Sequence, residues 1–235
     1  MVDSTALRAR LADVRHRIAR AAGRSGRDPA SIRLVAVSKT FPADYIRGAA
    51  EAGQIDFGEN KVQEALQKMD ETADLGIRWH LVGHLQSNKS RKAGSRFDVI
   101  HSVDDGALVG KLDEAAAAVG REVQLLVQVD LVEETTKHGA REDALELIFQ
   151  AARGCQFARV AGLMVLPPDV EEPEEARPYF RALKDVRDRL LARDVDPRML
   201  SELSMGMSHD FEVAVEEGAT LVRVGTAIFG SRTHV

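Results

Sequence analysis

Lys39 closes the apolar run Leu34-Val35-Ala36-Val37-Ser38-Lys39. A short β-branched run bounded by Arg27-Asp28-Pro29 and Phe41-Pro42 reads as a buried parallel strand passing into a helix, so the lysine stands at the strand's carboxyl end. An amine partly withdrawn from water there loses proton affinity, and its freed lone pair can attack a carbonyl to form a Schiff base. The competing reading is a lysine whose stem lies along the strand end while its ammonium stays in water.

Other chemistry-bearing residues gather late in the chain. The segment Ser204-Met205-Gly206-Met207-Ser208-His209-Asp210 precedes a helical pattern, whose first N–H groups and positive dipole end favour an anion. Gly225-Thr226-Ala227-Ile228-Phe229-Gly230 offers a close backbone approach at Gly225 and a hydroxyl at Thr226. Either segment alone is a Gly/Ser turn; together they suit a phosphate dianion. Arg223 sits inside Leu221-Val222-Arg223-Val224, on the face opposite its two valines by period-2 counting. A buried guanidinium needs a partner, and two remain open: an internal ion pair with Glu59 or Glu202, or an unprotonated ring nitrogen of a ligand. Asn60 could donate to a ligand oxygen or cap a helix. His80 and His84 share a strand face in the manner of a metal pair, but no third ligand has the right spacing, so no metal site is expected. His84 with Gln86, Ser87 and Asn88, and His101 with Asp104, read as polar strand-end linings.

The elements that must position these groups alternate along the chain. Strands are predicted at 33–38, 55–58, 79–82, 99–103, 123–129, 160–166, 200–204 and 221–224, with helices at 43–52, 61–69, 107–119, 143–152, 174–192 and 211–217. The polar, basic link 85–97 is the weakest of the helical connections. Gly53, Gly120, Gly154 and Gly218 are placed to end helices. Ahead of the first strand, Leu7, Leu11, Val14 and Ile18 fall on one face among Arg8, Arg10, Arg15, Arg17 and Arg20, an amphipathic helix with a solvated basic side. Eight β/α repeats point to a single-domain (β/α)8 barrel over 1–235 with an extra N-terminal helix. No G-x-G-x-x-G supports the doubly wound alternative, and 167–173 reads as a surface excursion. In such a barrel the strand carboxyl ends carry the chemistry, and the last two loops commonly hold phosphate.

Composition narrows the class further. With 235 residues, 44% of them hydrophobic, the chain can bury one sizeable core. A net charge of −5 argues against nucleic acid as a partner, and no apolar stretch or signal-peptide core points to a membrane. The one cysteine, Cys155, cannot form an internal disulfide, so the expected compartment is the cytoplasm.

With these residues assembled, the chain resembles the pyridoxal-phosphate homeostasis proteins, the YggS/PROSC group related to the barrel domain of alanine racemase. The resemblance rests on Val37-Ser38-Lys39-Thr40, Phe57-Gly58-Glu59-Asn60 to Glu64, Trp79-His80 to Lys89, His101-Ser102-Val103-Asp104, Gly162-Leu163-Met164 to Pro168, Leu203 to Ser208, and Val222 to Gly230, in family order. It implies a fold-type-III barrel holding pyridoxal 5′-phosphate as an aldimine on Lys39. Ser208, Gly225, Thr226 and Ser204 would contact the phosphate, Arg223 would face the pyridine nitrogen, and Asn60 would line the site. The implied role is a monomeric cofactor buffer without substrate turnover, whose partners are the cofactor itself and enzymes that require it. The rival is a fold-type-III amino-acid racemase; a Schiff-base aldolase would carry its lysine on a later strand. Racemisation needs a second base. Alanine racemases take a tyrosine from an additional domain, whereas this chain ends shortly after Gly230 and its two tyrosines, Tyr45 and Tyr179, fall in predicted helices. Phe41, Lys61 and the segment 132–137 depart from the commonest family pattern and put loop-borne surface interactions in question.

Overall fold

The computed structural model describes residues 3–132 and 138–230. Eight parallel strands close in sequence order: β1 (Arg33–Val37), β2 (Asp56–Glu59), β3 (Arg78–Leu81), β4 (Val99–Val103), β5 (Val123–Gln128), β6 (Ala158–Met164), β7 (Glu202–Ser204) and β8 (Leu221–Val224), with β8 pairing back onto β1. Helices α1 (Ser4–Arg24), α2 (Ala43–Glu51), α3 (Val62–Glu71), α4 (Ser90–Arg96), α5 (Gly106–Ala117), α6 (Glu142–Ala152), α7 (Arg177–Leu191), α8 (Phe211–Glu216) and α9 (Thr226–Phe229) surround them. No described helix is long and apolar enough to cross a membrane.

Strand alternation divides the interior into two zones. Outward residues such as Leu34, Ala36, Phe57, Trp79, Leu203 and Val222 pack beneath the helices in the main core. Inward residues Val35, Val99, Leu126, Met164 and Leu221 form a smaller core inside the barrel. By the same count Lys39 is in phase with Val35 and Val37, and Asn60 with Asp56 and Gly58. Helix α1 buries Leu7, Leu11, Val14 and Ile18 as the heptad-like spacing predicts, and Asp3 accepts from the Thr5 and Ala6 amides at its start. Its basic side is tied down: Arg10 donates to the Ile228 carbonyl at 2.6 Å and Arg17 to Glu212 at 2.9 Å.

Departures from the sequence reading are local. The polar link 85–97 contains a 3-10 turn and the short helix α4, which buries only Ser90, Ala93 and Gly94; so slight an apolar face leaves little periodic signal. Gly53, Gly120 and Gly218 adopt positive φ, whereas Gly154 does not. Asn60 does not cap α3, whose N-cap is Lys61. Of the family-divergent segment 132–137, residues 133–137 lie outside the described residues.

Candidate functional site

Lys39 lies half-buried in a tight turn at the end of β1, closed by the Phe41 amide donating to the Ser38 carbonyl at 3.0 Å. Thr40, the next residue, has φ 71°, a left-handed conformation that a β-branched side chain adopts only under strain. Both neighbours of the lysine are tethered. The Ser38 hydroxyl donates to Glu59 Oε1 at 2.7 Å, and the Thr40 amide donates to Glu64 Oε1 at 2.6 Å. Lys68 joins the two acids, donating to Glu59 and Glu64 at 2.8 Å each and to the Ser38 carbonyl at 2.9 Å. Glu59 is fully buried between strand and α3, and its Oε2 has no partner. Burial pushes its carboxyl above the ordinary value, against the pull of Lys68 and Ser38.

Arg223 occupies the inward face of β8, as alternation predicted, and is 3% exposed. It donates to Ser204 Oγ at 2.6 Å and to the Val165 carbonyl at 2.9 Å. The ion pair considered from sequence is not formed: Glu59 binds Lys68, and Glu202 binds Arg33 at 3.2 Å. Burial pulls Arg223 down to about 10, partly offset by the charge of Asp210, so it is still a cation at neutral pH. From Ser204 a chain of contacts crosses the barrel. His101 Nδ1 lies 2.8 Å from Ser204 Oγ, His80 Nδ1 lies 2.9 Å from His101 Nε2, and His80 Nε2 lies 2.9 Å from Asp56 Oδ1. Arg223 can only donate and a carboxylate can only accept, so one assignment serves every member. Ser204 donates to His101 Nδ1, His101 Nε2–H donates to His80 Nδ1, and His80 Nε2–H donates to Asp56. Both imidazoles are then neutral. Burial lowers His80, and it holds His101 well below its ordinary value with help from His80 and Arg223.

The loops after β7 and β8 meet at Ser208. Its Oγ accepts from the Gly225 amide at 3.1 Å and the Ala227 amide at 3.3 Å. Gly225, the N-cap of α9, has no side chain to cap that helix, so Ser208 does so from the neighbouring loop. A Cβ on Gly225 would stand 3.1 Å from the Val37 carbonyl, so the loop rests against the strand that carries Lys39. Thr226 is exposed at the same helix start. Upstream, Gly206 has φ 90° and faces Ala214 and Phe211 so closely that a Cβ would fall 2.5 Å from the Ala214 methyl. The Met207 amide donates to buried Asp210 at 2.6 Å, fixing the turn that presents Ser208.

The structure therefore gathers Lys39, Asn60, Ser208, Gly225 and Thr226 at the carboxyl ends of β1, β2, β7 and β8, with Arg223 just below. Ser204 lies apart from the meeting point of the Ser208 and Gly225 loops: it is fully buried, with its hydroxyl engaged between Arg223 and His101. Sequence reasoning missed Lys68, Glu64 and the role of His101 and His80. The four-residue spacing of Glu64 and Lys68 was the available signal for the first pair. Phe41 packs on Tyr45 at 5.0 Å and on Phe229 at 5.4 Å between ring centroids, which joins the Lys39 turn to α9.

Comparison with known proteins gives a consistent result. The family model "alanine racemase, N-terminal domain" matches residues 9–233. The pyridoxal phosphate homeostasis protein of Aquifex aeolicus is 41% identical over 225 residues, spanning 96% of this chain and 98% of that one. Its Escherichia coli counterpart is 39% identical over 231 residues, covering 95% and 96%. Among solved structures, PipY of Synechococcus elongatus with PLP bound superposes with a TM-score of 0.84 at 41% identity, covering 95% of this chain and all of that one. The alanine racemase of Clostridium difficile shares the fold at TM-score 0.74 and 13% identity, over 97% of this chain and 57% of that one.

Proposed function

This chain belongs to the alanine racemase N-terminal domain family, and on that premise we propose that it binds pyridoxal 5′-phosphate and buffers its supply to enzymes that need it. The observation that carries the reading is the pair of Gly225 and Ala227 amides gathered at Ser208, on the loop that abuts the Lys39 strand. The residues fit the ligand: an amine at a strand mouth, two backbone amides with the Ser208 and Thr226 hydroxyls on the neighbouring loops, and a buried cation on β8. The cofactor, when bound, supplies an aldehyde that condenses reversibly with a primary amine. Lys39 offers that amine, held by the strained turn. Ser208, Gly225 and Thr226 would hold the phosphate. Arg223 would face the ring nitrogen and, as a donor only, keep it unprotonated. Asn60 would bound the opening on β2. Tyr45 and Tyr179 lie on α2 and α7 rather than at strand ends, so neither supplies a base opposite Lys39. The protein then acts as a monomeric carrier in a reducing cytoplasm, consistent with the single Cys155.

Borohydride reduction of the loaded protein followed by peptide mapping should place the pyridoxyl label on the Lys39 peptide. L-Alanine, L-serine and L-glutamate should remain unracemised by chiral chromatography. Labelling elsewhere with Lys39→Ala still yellow would refute the site, and racemisation abolished by Lys39→Ala would replace the carrier with an enzyme.

A further inference from the structure

A second group of ligand-type side chains stands at the barrel mouth, and neither the Lys39 turn nor the phosphate loops use it. Among the described residues, His84, Asp104 and His138 each present one donor atom, all within 4.8 Å of one another. They come from the loops after β3, β4 and β5, three neighbouring strands. The imidazoles of His84 and His138 stack at 3.5 Å between centroids and 8° between planes. His84 Nδ1 stands 3.9 Å from Asp104 Oδ2, too far for a hydrogen bond.

The backbone under each histidine is pinned. Gly83, next to His84, lies so close to β2 that a Cβ would fall 2.3 Å from the Asn60 carbonyl oxygen. Its own carbonyl accepts from the Ser102 hydroxyl at 2.7 Å. On the other side Gln128 Nε2 donates to the His138 carbonyl at 2.5 Å. Gly139 takes φ 146°, where a Cβ would fall 2.9 Å from the Asp130 amide nitrogen, and Ala140 bridges to Val129. The two rings are therefore brought together by strand-anchored backbone, over a carboxylate that follows β4.

We propose that His84, Asp104 and His138 bind a divalent transition metal of the zinc class. Two imidazoles and a carboxylate are the borderline donor set that such ions take, and three protein ligands leave a position open for water or an oxygen ligand. Tetrahedral bond lengths set donor pairs about 3.4 Å apart, close to the separations here, and because an imidazole binds metal in its own plane the two exposed rings would tilt out of their stack to share one ion. The ion would clamp three mouth loops together.

The experiment uses the full chain, metal-stripped, both loaded with cofactor and freed of it, because unbound pyridoxal phosphate itself chelates metal. Zinc is titrated in competition with a chromogenic chelator, and cobalt is added separately to read its visible spectrum. One zinc per chain and tetrahedral cobalt bands are expected, with binding weaker at pH 6 than at pH 7.5. His84→Ala, Asp104→Asn and His138→Ala should each weaken zinc affinity by about tenfold or more, with circular dichroism unchanged. No saturable binding up to about 100 μM zinc, far weaker than a three-ligand site allows, would overturn the proposal. So would affinity unchanged across the three variants. Because zinc is read directly, failure here leaves the Lys39 labelling result untouched.

Discussion

Ser204→Ala tests whether the polar chain inside the barrel stabilises the protein or merely decorates it. The substitution removes one oxygen from a site with no solvent access, where that oxygen serves Arg223 at 2.6 Å and His101 at 2.8 Å. Both partners stay behind, one of them a cation. A buried polar group left without its partner costs about 1–3 kcal/mol, with charged groups at the upper end or beyond it. Arg223 keeps its bond to the Val165 carbonyl and His101 its contact with His80, so the two lost bonds together predict a loss of about 2–4 kcal/mol, a large share of the stability of a domain of this kind. Urea unfolding followed by circular dichroism measures it. A second substitution sharpens the reading: in the Ser204→Ala background, His101→Leu should cost clearly less than it does alone, because one of its partners has already gone. A loss below about 1 kcal/mol for Ser204→Ala, or strict additivity of the pair, would refute the continuous chain of donors.

Acidification should weaken the fold through the same residues. His80 and His101 are held neutral in the folded barrel, below an unfolded value near 6.5, so stability is full above that pH. It then falls by up to about 1.4 kcal/mol per pH unit for each histidine as pH drops toward the folded values. Urea unfolding between pH 7.5 and 5.5 should show that slope, and His101→Asn should remove one histidine's share; an unchanged slope would dismiss the neutral pair. Thr40→Gly should relieve about 1–2 kcal/mol of backbone strain and lose about half of that to the freer unfolded chain. A net gain of up to about 1 kcal/mol in thermal unfolding is expected, and a clear loss would show that the Thr40 side chain holds the Lys39 turn.

The barrel was legible because its longer strands, such as β1, β5 and β6, are near-continuous apolar runs and strand-like and helix-like segments alternate along the chain, although β2 and β7 are short and carry acids and α4 and α9 show little period. Arg223 was legible for the same reason: alternation within one strand assigns its face. Its partners were not. Ser204, His101 and His80 belong to three other strands, and which of them meet depends on barrel stagger, a property of the closed sheet. The phosphate contact of Ser204 was implied by the family resemblance, whereas as the last residue of the strand it turns its hydroxyl inward to Arg223 and His101. His80 and His84 looked like partners because they are four apart; closure instead gives His80 to His101 and His84 to His138, which lies beyond β5. Lys68 was hidden as one more helical lysine until α3 docked and buried it to 6% exposure.

The seam of the barrel has a consequence for biosynthesis. Lys39 follows the first strand and the Gly225 loop the last, and the two touch only once β8 has paired with β1 and Phe229 has reached Phe41. A ribosome making this chain exposes the amine roughly ten to forty seconds before the Gly225 loop, the proposed phosphate contact, exists, at ordinary elongation rates. During that interval the lysine can meet free aldehydes with nothing to retain them. In the proposed site tight capture would begin only when the ring is complete, so a bound cofactor would mark a chain whose first and last strands have found each other.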